Sequence, residues 1–308
     1  MVIKSPITGS KNIVLEKEIS SSFIIEGYKK GLGIDVSKFF CYIDKIFIYK
    51  CLDTGYRFYH PFNIFGDNLF YQELEKLPWY YMDCKWEYDI AYHLINKKDK
   101  VLEIGCAKGN FIQKIKEGGG TAEGLEMNLK AIETCKKNGL NVHAVPIEKF
   151  SENKANTYDI VCFFQVLEHI TDVQGFLKSS LSVLKPNGLI IASVPNNDCI
   201  MFKSNDIVLN MPPHHMGLWN INSLIKLQDY FNIKIESIHL EPIQKYHLGF
   251  ANKHTEKAIK EKLQKKMGFL SPLIEKTALR FALLGISVVS DYIIGHSIVI
   301  VFKKKNER

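Results

Sequence analysis

The stretch Lys100-Val-Leu-Glu-Ile-Gly-Cys-Ala-Lys-Gly-Asn-Phe111 decides the fold of this chain of 308 residues. Its apolar run, Val101 to Ile104, is interrupted by Gly105 and Gly109 and is followed by a segment with a helical pattern. This order predicts a strand, a tight turn and a helix. Glycines let a backbone approach a ligand closely, and the first turn of a helix offers N–H groups that lack intrahelical partners. The stretch therefore predicts a binding site for a nucleotide-like ligand.

The details of the turn separate ligand classes. The dinucleotide fingerprint Gly-x-Gly-x-x-Gly requires glycine where this chain has Ala107 and Asn110, which disfavours a nicotinamide oxidoreductase. Glu103, at the strand end, can accept a hydrogen bond from an ammonium group, which favours a ligand that carries an amino acid. The stretch resembles motif I, acid-x-Gly-x-Gly-x-Gly, of the class I S-adenosylmethionine-dependent methyltransferases. The resemblance implies S-adenosylmethionine as cofactor, bound at Glu103, Gly105, Cys106, Ala107 and Gly109.

Further candidate cofactor residues follow the next predicted strands. Thr121 to Leu125 reads as a second strand that ends at Glu126, and a carboxylate at that tip can accept hydrogen bonds from both hydroxyls of a ribose. The resemblance implies that the neighbouring Met127 also lies at the site, that an adenine-contacting pair stands at Ile147-Glu148, and that Gln165 lies near the methionine part of the cofactor. These last three positions follow the third and fourth predicted strands, 142–145 and 158–164.

Two pairs of residues at the carboxyl edge of the predicted sheet carry ionisable side chains. We interpret Glu168 and His169 as structural, because two residues are too few for a metal site. His214 and His215 lie on a proline-stiffened loop beyond the fifth predicted strand, 189–194. In the resembling family, branches that act on sugars often carry a histidine just before an aromatic residue and a helix, here Trp219 and residues 222–231. We therefore predict His215, or failing it His214, as the general base, with Trp219 stacking on the sugar; the alternative is that both histidines are structural.

The first 85 residues form a predicted accessory unit. They resemble the N-terminal zinc-ribbon region of some bacterial methyltransferases, with Ser5-x-x-Thr8 and Cys51-x-x-Thr54 where that family has Cys-x-x-Cys pairs. Structural zinc needs four N or S ligands, so we predict a ribbon-shaped unit without metal, and no metal site elsewhere in the chain. The aromatic residues between 62 and 92 are interpreted as a packing seam or, alternatively, as a wall that stacks on a sugar or a nucleotide.

Composition narrows the classes of partner. Lys plus Arg exceed Asp plus Glu by 7 without a long basic block, which predicts a solvated surface or an anionic substrate and no nucleic-acid partner. The 7 cysteines are widely scattered, as is typical of reduced thiols in the cytoplasm. The sequence shows no signal peptide, and it lacks the apolar run of about 18 residues that would predict a transmembrane segment.

The alternation of strands and helices predicts an α/β fold with a doubly wound, mainly parallel, seven-stranded sheet. We predict an accessory unit at 1–85, an S-adenosylmethionine-binding catalytic domain at 86–240, a helical insertion at 241–294 and a closing strand at 295–308. The insertion is interpreted as a homodimer face, as a lid over the acceptor or as an element in peripheral contact with a membrane.

The resemblance implies an enzyme that O-methylates a sugar hydroxyl by direct displacement, on a nucleotide sugar or on a precursor of a surface polysaccharide. Two alternatives remain open at this point. The first is N- or C-methylation of another small molecule, and the second is a non-catalytic module that binds S-adenosylmethionine.

Overall fold

The structure is a computed structural model that describes residues 2–203, 207–249, 252–253, 256–257 and 294–306. The strands of this part are β1 (Ile13–Ser20), β2 (Lys45–Cys51), β3 (Arg57–His60), β4 (Lys100–Ile104), β5 (Thr121–Leu125), β6 (Val142–His143), β7 (Tyr158–Phe164), β8 (Leu184–Pro195), β9 (Gly217–Leu218), β10 (Ile233–Pro242) and β11 (Ile294–Lys304). The α-helices are α1 (Ser21–Leu32), α2 (Asn68–Glu75), α3 (Trp86–His93), α4 (Asn110–Glu117), α5 (Leu129–Lys137), α6 (Ile147–Phe150), α7 (Val173–Val183) and α8 (Ile221–Ile225).

The main sheet has seven strands in the order β10-β11-β8-β7-β4-β5-β6. Strands β4 to β8 pair in parallel, and β11 runs antiparallel to both β8 and β10. The inner strands β4 and β7 are apolar and almost entirely buried, as strands covered by helices on both faces should be. The predicted α/β fold with a doubly wound, mainly parallel sheet is therefore confirmed.

The strand order places a crevice beside the glycine turn. From β4 the chain moves outward to β5 and β6, and it then returns to lay β7 on the other side of β4. The connections that leave β4 and β7 therefore go to opposite sides, which opens a crevice outside the carboxyl ends of these two strands. In open α/β sheets this switch point is where ligands bind.

A second, antiparallel sheet has the order β1-β2-β3-β9. Its last strand, β9, comes from the histidine loop and pairs with β3 through Arg57 opposite Leu218 and Phe58 opposite Gly217. The N-terminal residues Ile7 and Phe58 also share one buried core cluster with the main sheet. The N-terminal sheet thus holds the histidine loop directly.

The structure corrects two expectations near this loop. Trp219 is fully buried, with its ring centroid 4.3 Å from that of Tyr56, so its side chain is not available to stack on a sugar. The predicted helix at 222–231 is shorter than expected, because α8 ends at Ile225 and a 3-10 turn, Lys226–Asp229, follows it.

Most of the predicted insertion at 241–294 lies outside the described residues. Among the helices that the structure does describe, none combines the length and the apolar character needed to cross a bilayer.

Candidate cofactor and acceptor site

The turn after β4 has a backbone that requires glycine. Gly105 and Gly109 have left-handed φ angles of 74° and 80°. A Cβ at Gly105 would lie 2.6 Å from a methyl carbon of Val166, and a Cβ at Gly109 would lie 2.5 Å from one of Leu140. Ala107 is also left-handed, with φ of 46°, at the place where the resembling motif has its middle glycine. The alanine therefore occupies a conformation that suits glycine better.

Glu126 connects this turn to the end of β5. Its Oε2 accepts a hydrogen bond from the backbone N–H of Ala107 at 2.8 Å, and its Oε1 accepts from those of Met127 at 2.7 Å and Asn128 at 2.8 Å. A carboxylate offers about four acceptor positions, so three of them are already used. Glu126 can accept one ribose hydroxyl as it stands, and accepting two requires one backbone bond to be released.

Glu103 is a buried carboxylate at the end of β4. It is 1% exposed, and its Oε2 has no hydrogen-bond partner in the described part of the chain. Burial raises the pKa of Glu103 to about 8, an effect that the nearby Lys85 partly opposes. A buried oxygen that lacks a donor fits the ammonium group of an amino-acid ligand, because that ligand would supply both a charge and a hydrogen bond.

The raised pKa of Glu103 predicts a pH dependence of cofactor binding. Below pH 8 the carboxyl group is mostly protonated, whereas an ammonium ligand favours the ionised form, so binding releases a proton. We expect the affinity for S-adenosylhomocysteine to rise from pH 6 to pH 8, by at most about tenfold per pH unit, and to level off above. Titration calorimetry in buffers of different ionisation enthalpy measures the proton release directly.

The matched control for this prediction is Glu103→Gln, which keeps the shape of the side chain and removes its titration. Its affinity should not change between pH 6 and pH 8. Proton release that persists in this variant would assign the linkage to another group.

Gln165, after β7, faces a small polar group of side chains. It has a left-handed φ of 58°, and its Nε2 lies 3.4 Å from Oε1 of Glu87 and 3.3 Å from the hydroxyls of Ser193 and Ser297. Glu87 is itself 4% exposed. These contacts hold Gln165 at the crevice between β4 and β7, beside the glycine turn.

The remaining candidate cofactor residues differ in exposure. Cys106 is buried and packs with Ile112 and Cys135, so that only its backbone lies along the turn. Ile147 is buried in the main core, whereas Glu148 is exposed and Met127 is 49% exposed. The structure thus brings Glu103, the glycine turn, Glu126 and Met127 together at the ends of β4 and β5. It leaves the side chain of Ile147 in the core.

The structure brings three imidazoles together at the same edge of the sheet. His169 follows β7, and its ring centroid lies 4.7 Å from that of His214 and 5.1 Å from that of His215. The rings of His214 and His215 are stacked 4.4 Å apart. We call these three residues the histidine cluster. The sequence predicts a functional role for His214 and His215 and a structural role for His169.

Hydrogen bonds orient each ring of the cluster. Nδ1 of His169 lies 2.6 Å from the carbonyl oxygen of His214, and Nδ1 of His214 lies 2.9 Å from that of Leu209. Nδ1 of His215 lies 3.0 Å from Oδ1 of Asn210. An oxygen acceptor beside Nδ1 assigns the ring proton to Nδ1, which leaves the lone pair on Nε2.

The cluster is uncharged at neutral pH. Burial lowers the pKa of His169 to about 4, and burial together with the neighbouring imidazoles lowers the pKa of His214 and His215 well below their usual range. Each ring therefore carries a free or hydrogen-bonded lone pair rather than a second proton. A neutral imidazole can accept a proton or coordinate a metal ion.

Two side chains that sequence analysis did not assign to the site support the cluster. The hydroxyl of Tyr80 lies 2.9 Å from Nε2 of His214, and Asn210 orients His215. Tyr80 belongs to the aromatic segment that was interpreted as a packing seam or a stacking wall. The sequence therefore indicated that Tyr80 packs against other residues, but not that its partner is His214. Asn210 carried no signal in the sequence.

The four ribbon positions also meet in the structure. The hydroxyl of Thr8 lies 4.0 Å from Sγ of Cys51. Burial raises the pKa of that thiol, but hydrogen bonds from the side chains of Ser5 and Thr54 and from the backbone together outweigh burial, so the pKa is lowered. One thiol among three hydroxyls is a poor set of ligands for zinc. The absence of metal at this place stays a prediction.

Comparison with known proteins identifies the family. Residues 79–265 match the model of the methyltransferase domain family. The chain is 26% identical over 120 residues to a ubiquinone biosynthesis O-methyltransferase of Bordetella avium, covering 37% of this chain and 49% of that protein. It is 27% identical over 165 residues to the protein of the same name from Actinobacillus pleuropneumoniae, covering 49% of this chain and 70% of that protein. The chain thus spans about half the length of some curated relatives and more of others.

Among solved structures, the chain is similar to a SAM-dependent methyltransferase from Archaeoglobus fulgidus, with a TM-score of 0.48 and 19% identity, over 71% of this chain and 92% of that one. The family match includes the glycine turn, Glu126 and the histidine cluster, and more than half of the chain lies within it. The chain belongs to the methyltransferase domain family, whose methyl donor is S-adenosylmethionine.

Proposed function

We propose that this protein transfers the methyl group of S-adenosylmethionine to a hydroxyl of a sugar, carried by a nucleotide sugar or by a precursor of a surface polysaccharide. Glu103, Gly105, Cys106, Ala107, Gly109, Glu126, Met127, Ile147, Glu148 and Gln165 are the proposed cofactor residues, and Glu103 and Glu126 fit its ammonium group and its ribose. The cofactor supplies an activated methyl group on a sulfonium. The protein aligns the acceptor, excludes water and takes up the hydroxyl proton.

A cavity next to the histidine cluster supports this assignment of the acceptor. It has a volume of about 260 Å³ and lies between the N-terminal sheet and the segment that precedes the histidines. Its polar lining residues are Glu16, Lys17, Arg57, Tyr59, Asn197 and Asn210. Carboxylate, amide and guanidinium groups match the donors and acceptors of a compound with many hydroxyls.

Asn210 is the observation that carries the proposal. It lines the cavity, and the same side chain accepts the Nδ1 proton of His215, at 3.0 Å. His215 is therefore one side chain away from the proposed acceptor, with its lone pair on Nε2. We propose His215 as the group that takes the hydroxyl proton, with His214 as the alternative.

His215 is favoured over His214 because of their partners. Nε2 of His214 already receives the hydroxyl of Tyr80, at 2.9 Å. Within the described residues, Nε2 of His215 has no hydrogen-bond partner.

A second candidate function is O-methylation in ubiquinone biosynthesis, which the names of the relatives favour. Incubation of the protein with labelled S-adenosylmethionine and a panel of nucleotide sugars and ubiquinone precursors separates the two. Label transferred to a sugar hydroxyl supports the proposal. Label found only in a ubiquinone precursor, or on nitrogen or carbon, contradicts it.

Arg57 provides a specific test of the cavity. It lines the cavity from β3, where Nη1 lies 3.7 Å from Oε2 of Glu16. Replacing Arg57 by methionine should raise the KM for the acceptor about tenfold, because a charge-assisted hydrogen bond contributes roughly 1.5 kcal/mol. The affinity for S-adenosylhomocysteine should stay unchanged. Steady-state kinetics and calorimetry measure the two quantities.

Lys45→Met is the matched control, because Lys45 is an exposed cation on the neighbouring strand that pairs with Glu18 at 2.8 Å, away from the cavity. Lys45→Met should change neither the KM for the acceptor nor the affinity for S-adenosylhomocysteine. An unchanged acceptor KM in Arg57→Met would remove this cavity from the acceptor site.

A further inference from the structure

The histidine cluster has the form of a metal site. One ring nitrogen from each of His169, His214 and His215 lies within 4.8 Å of the other two. We propose that these three residues bind one divalent transition-metal ion of the zinc type. The sequence predicted no metal site, because His169 is far along the chain from the other two histidines and the fold alone brings them together.

The hydrogen bonds of the cluster are those of metal-binding histidines. Such residues almost always donate the proton of their second ring nitrogen to a carbonyl or carboxylate oxygen, which fixes the tautomer and the ring orientation. Here each of the three Nδ1 atoms faces an oxygen: the carbonyl oxygens of His214 and Leu209, and Oδ1 of Asn210. Asn210 is itself held in this orientation, because its Nδ2 donates to Oδ1 of Asn197 at 2.8 Å. These tautomers leave Nε2 of each ring as the atom that can bind an ion.

A buried carboxyl group stands next to His169 in the sequence. Glu168 precedes His169 and is 1% exposed, and in the described part of the chain neither of its carboxylate oxygens has a hydrogen-bond partner. Its carbonyl oxygen accepts from the backbone N–H of Met216 at 2.7 Å, which ties its turn to the histidine loop. An isolated carboxylate is costly to bury, and a nearby cation reduces that cost. Glu168 is thus a buried acid on the same turn as one of the proposed ligands.

The ligand set selects the class of ion. Neutral imidazoles suit Zn²⁺, Co²⁺, Ni²⁺ and related ions, whereas Mg²⁺ and Ca²⁺ prefer oxygen ligands. Three histidines leave the fourth position of a tetrahedral ion open, as in zinc enzymes that bind water or substrate there. Zinc–nitrogen bonds of about 2.0–2.1 Å place ligand atoms ~3.3 Å apart, so the rings must move inward by about 1 Å. The stacked rings of His214 and His215 must also turn so that both nitrogen lone pairs point at the ion. Nε2 of His214 must also exchange the hydroxyl of Tyr80 for the ion.

Metal binding goes beyond the proposed function and does not depend on it, since the ion would bind whichever acceptor is methylated. It also bears on how the acceptor is activated. In the metal-free protein, Nε2 of His215 is available to take a proton. In the metal-loaded protein that lone pair is used, and a hydroxyl at the open position would lose its proton more readily because a bound ion lowers its pKa.

Titration of the chelator-treated full-length protein with Co²⁺ tests the site without any variant. We expect saturation at one ion per chain, with the visible absorption of four-coordinate Co²⁺, and displacement of the Co²⁺ by Zn²⁺. Elemental analysis of protein dialysed against Zn²⁺ should give the same stoichiometry. The absence of saturable binding, or the weak absorption of a six-coordinate ion, overturns the proposal.

Variants assign the binding to the cluster. His169→Ala and His215→Ala should each weaken Co²⁺ binding by at least about 10–100-fold, because each removes a ligand. Asn210→Ala should have a smaller effect, up to about 10–100-fold, because it removes only the hydrogen bond that orients His215. His239→Ala, on β10, removes a histidine that bonds to Ser237, and Cys51→Ala removes the ribbon thiol; neither should change the stoichiometry.

Equal Co²⁺ affinity in the wild type and in both histidine variants would overturn the proposal, as would loss of the ion in Cys51→Ala. Circular dichroism shows whether each variant is folded. If a histidine variant does not fold, the Co²⁺ affinity of Asn210→Ala is compared with that of the wild type instead. Binding of S-adenosylhomocysteine is measured in the same samples, so that failure of the metal site and failure of the proposed methyltransferase function give different results.

Discussion

Glu126→Ala should weaken the binding of S-adenosylhomocysteine by about 10²–10⁴-fold. Hydrogen bonds from ribose hydroxyls to a carboxylate contribute roughly 1.5–3 kcal/mol each, and about 1.4 kcal/mol is tenfold in affinity. The lower end of the expected range corresponds to the one hydroxyl that Glu126 can accept as it stands, and the upper end to two hydroxyls after one backbone bond is released. The structure adds a second reason, because Glu126 also accepts from the backbone of Ala107 and so holds the glycine turn against β5. Calorimetry with S-adenosylhomocysteine measures the loss.

Two further variants show which reason dominates. Glu126→Gln keeps one acceptor oxygen. It should therefore lose less affinity than Glu126→Ala if the hydrogen bonds from the ribose hydroxyls contribute more to the affinity than the bond to the backbone of Ala107. Glu133→Ala removes an exposed carboxylate from α5, the next helix, and should leave the affinity unchanged. An unchanged affinity in Glu126→Ala would exclude Glu126 from the cofactor site.

Elements with a strong local signal were predicted with accurate bounds. The predicted strands at Thr121–Leu125 and Tyr158–Phe164 match the structure, since the residues of each apolar run lie within a few positions of one another. The glycine turn was recognised for the same reason. Its positive φ angles at Gly105 and Gly109 are a local property of the motif.

Contacts between distant segments could not be predicted in this way. Nδ1 of His169 bonds to the carbonyl oxygen of His214, 45 positions later, and the pairing of β3 with β9 holds the loop in place. Neither contact has a counterpart in the hydrophobic pattern. The exposure of Trp219 was wrongly predicted because the N-terminal sheet, through Tyr56, covers a ring that the loop sequence alone would leave open.

His215→Ala should lower single-turnover methyl transfer by about 10²–10⁴-fold, the usual loss when a general base is removed. The affinity for S-adenosylhomocysteine should not change, because His215 is not among the proposed cofactor residues. His214→Ala should have a smaller effect, since its Nε2 already receives the hydroxyl of Tyr80. Rapid-quench measurement on the true acceptor and cofactor titration give the two quantities.

Controls are needed because His215 is 7% exposed and its removal leaves a cavity. His215→Gln retains most of the volume, and thermal unfolding shows whether either variant is destabilised. His239→Ala should behave as the wild type. If both His214→Ala and His215→Ala retain nearly full turnover, the base assignment is wrong, and methyl transfer relies on positioning alone or on a different nucleophile.

The same measurement on metal-depleted and metal-loaded wild type separates the two roles of His215. If its imidazole takes the proton, turnover persists after chelation and an added ion inhibits it, because the ion occupies Nε2. If the histidine cluster acts through a bound ion, turnover is lost on chelation and returns with Zn²⁺ or Co²⁺, and His169→Ala, which leaves the ring of His215 in place, is then as inactive as His215→Ala. The response of His169→Ala therefore decides between a base and a metal ligand, since under proton transfer by His215 alone it should keep most of its turnover.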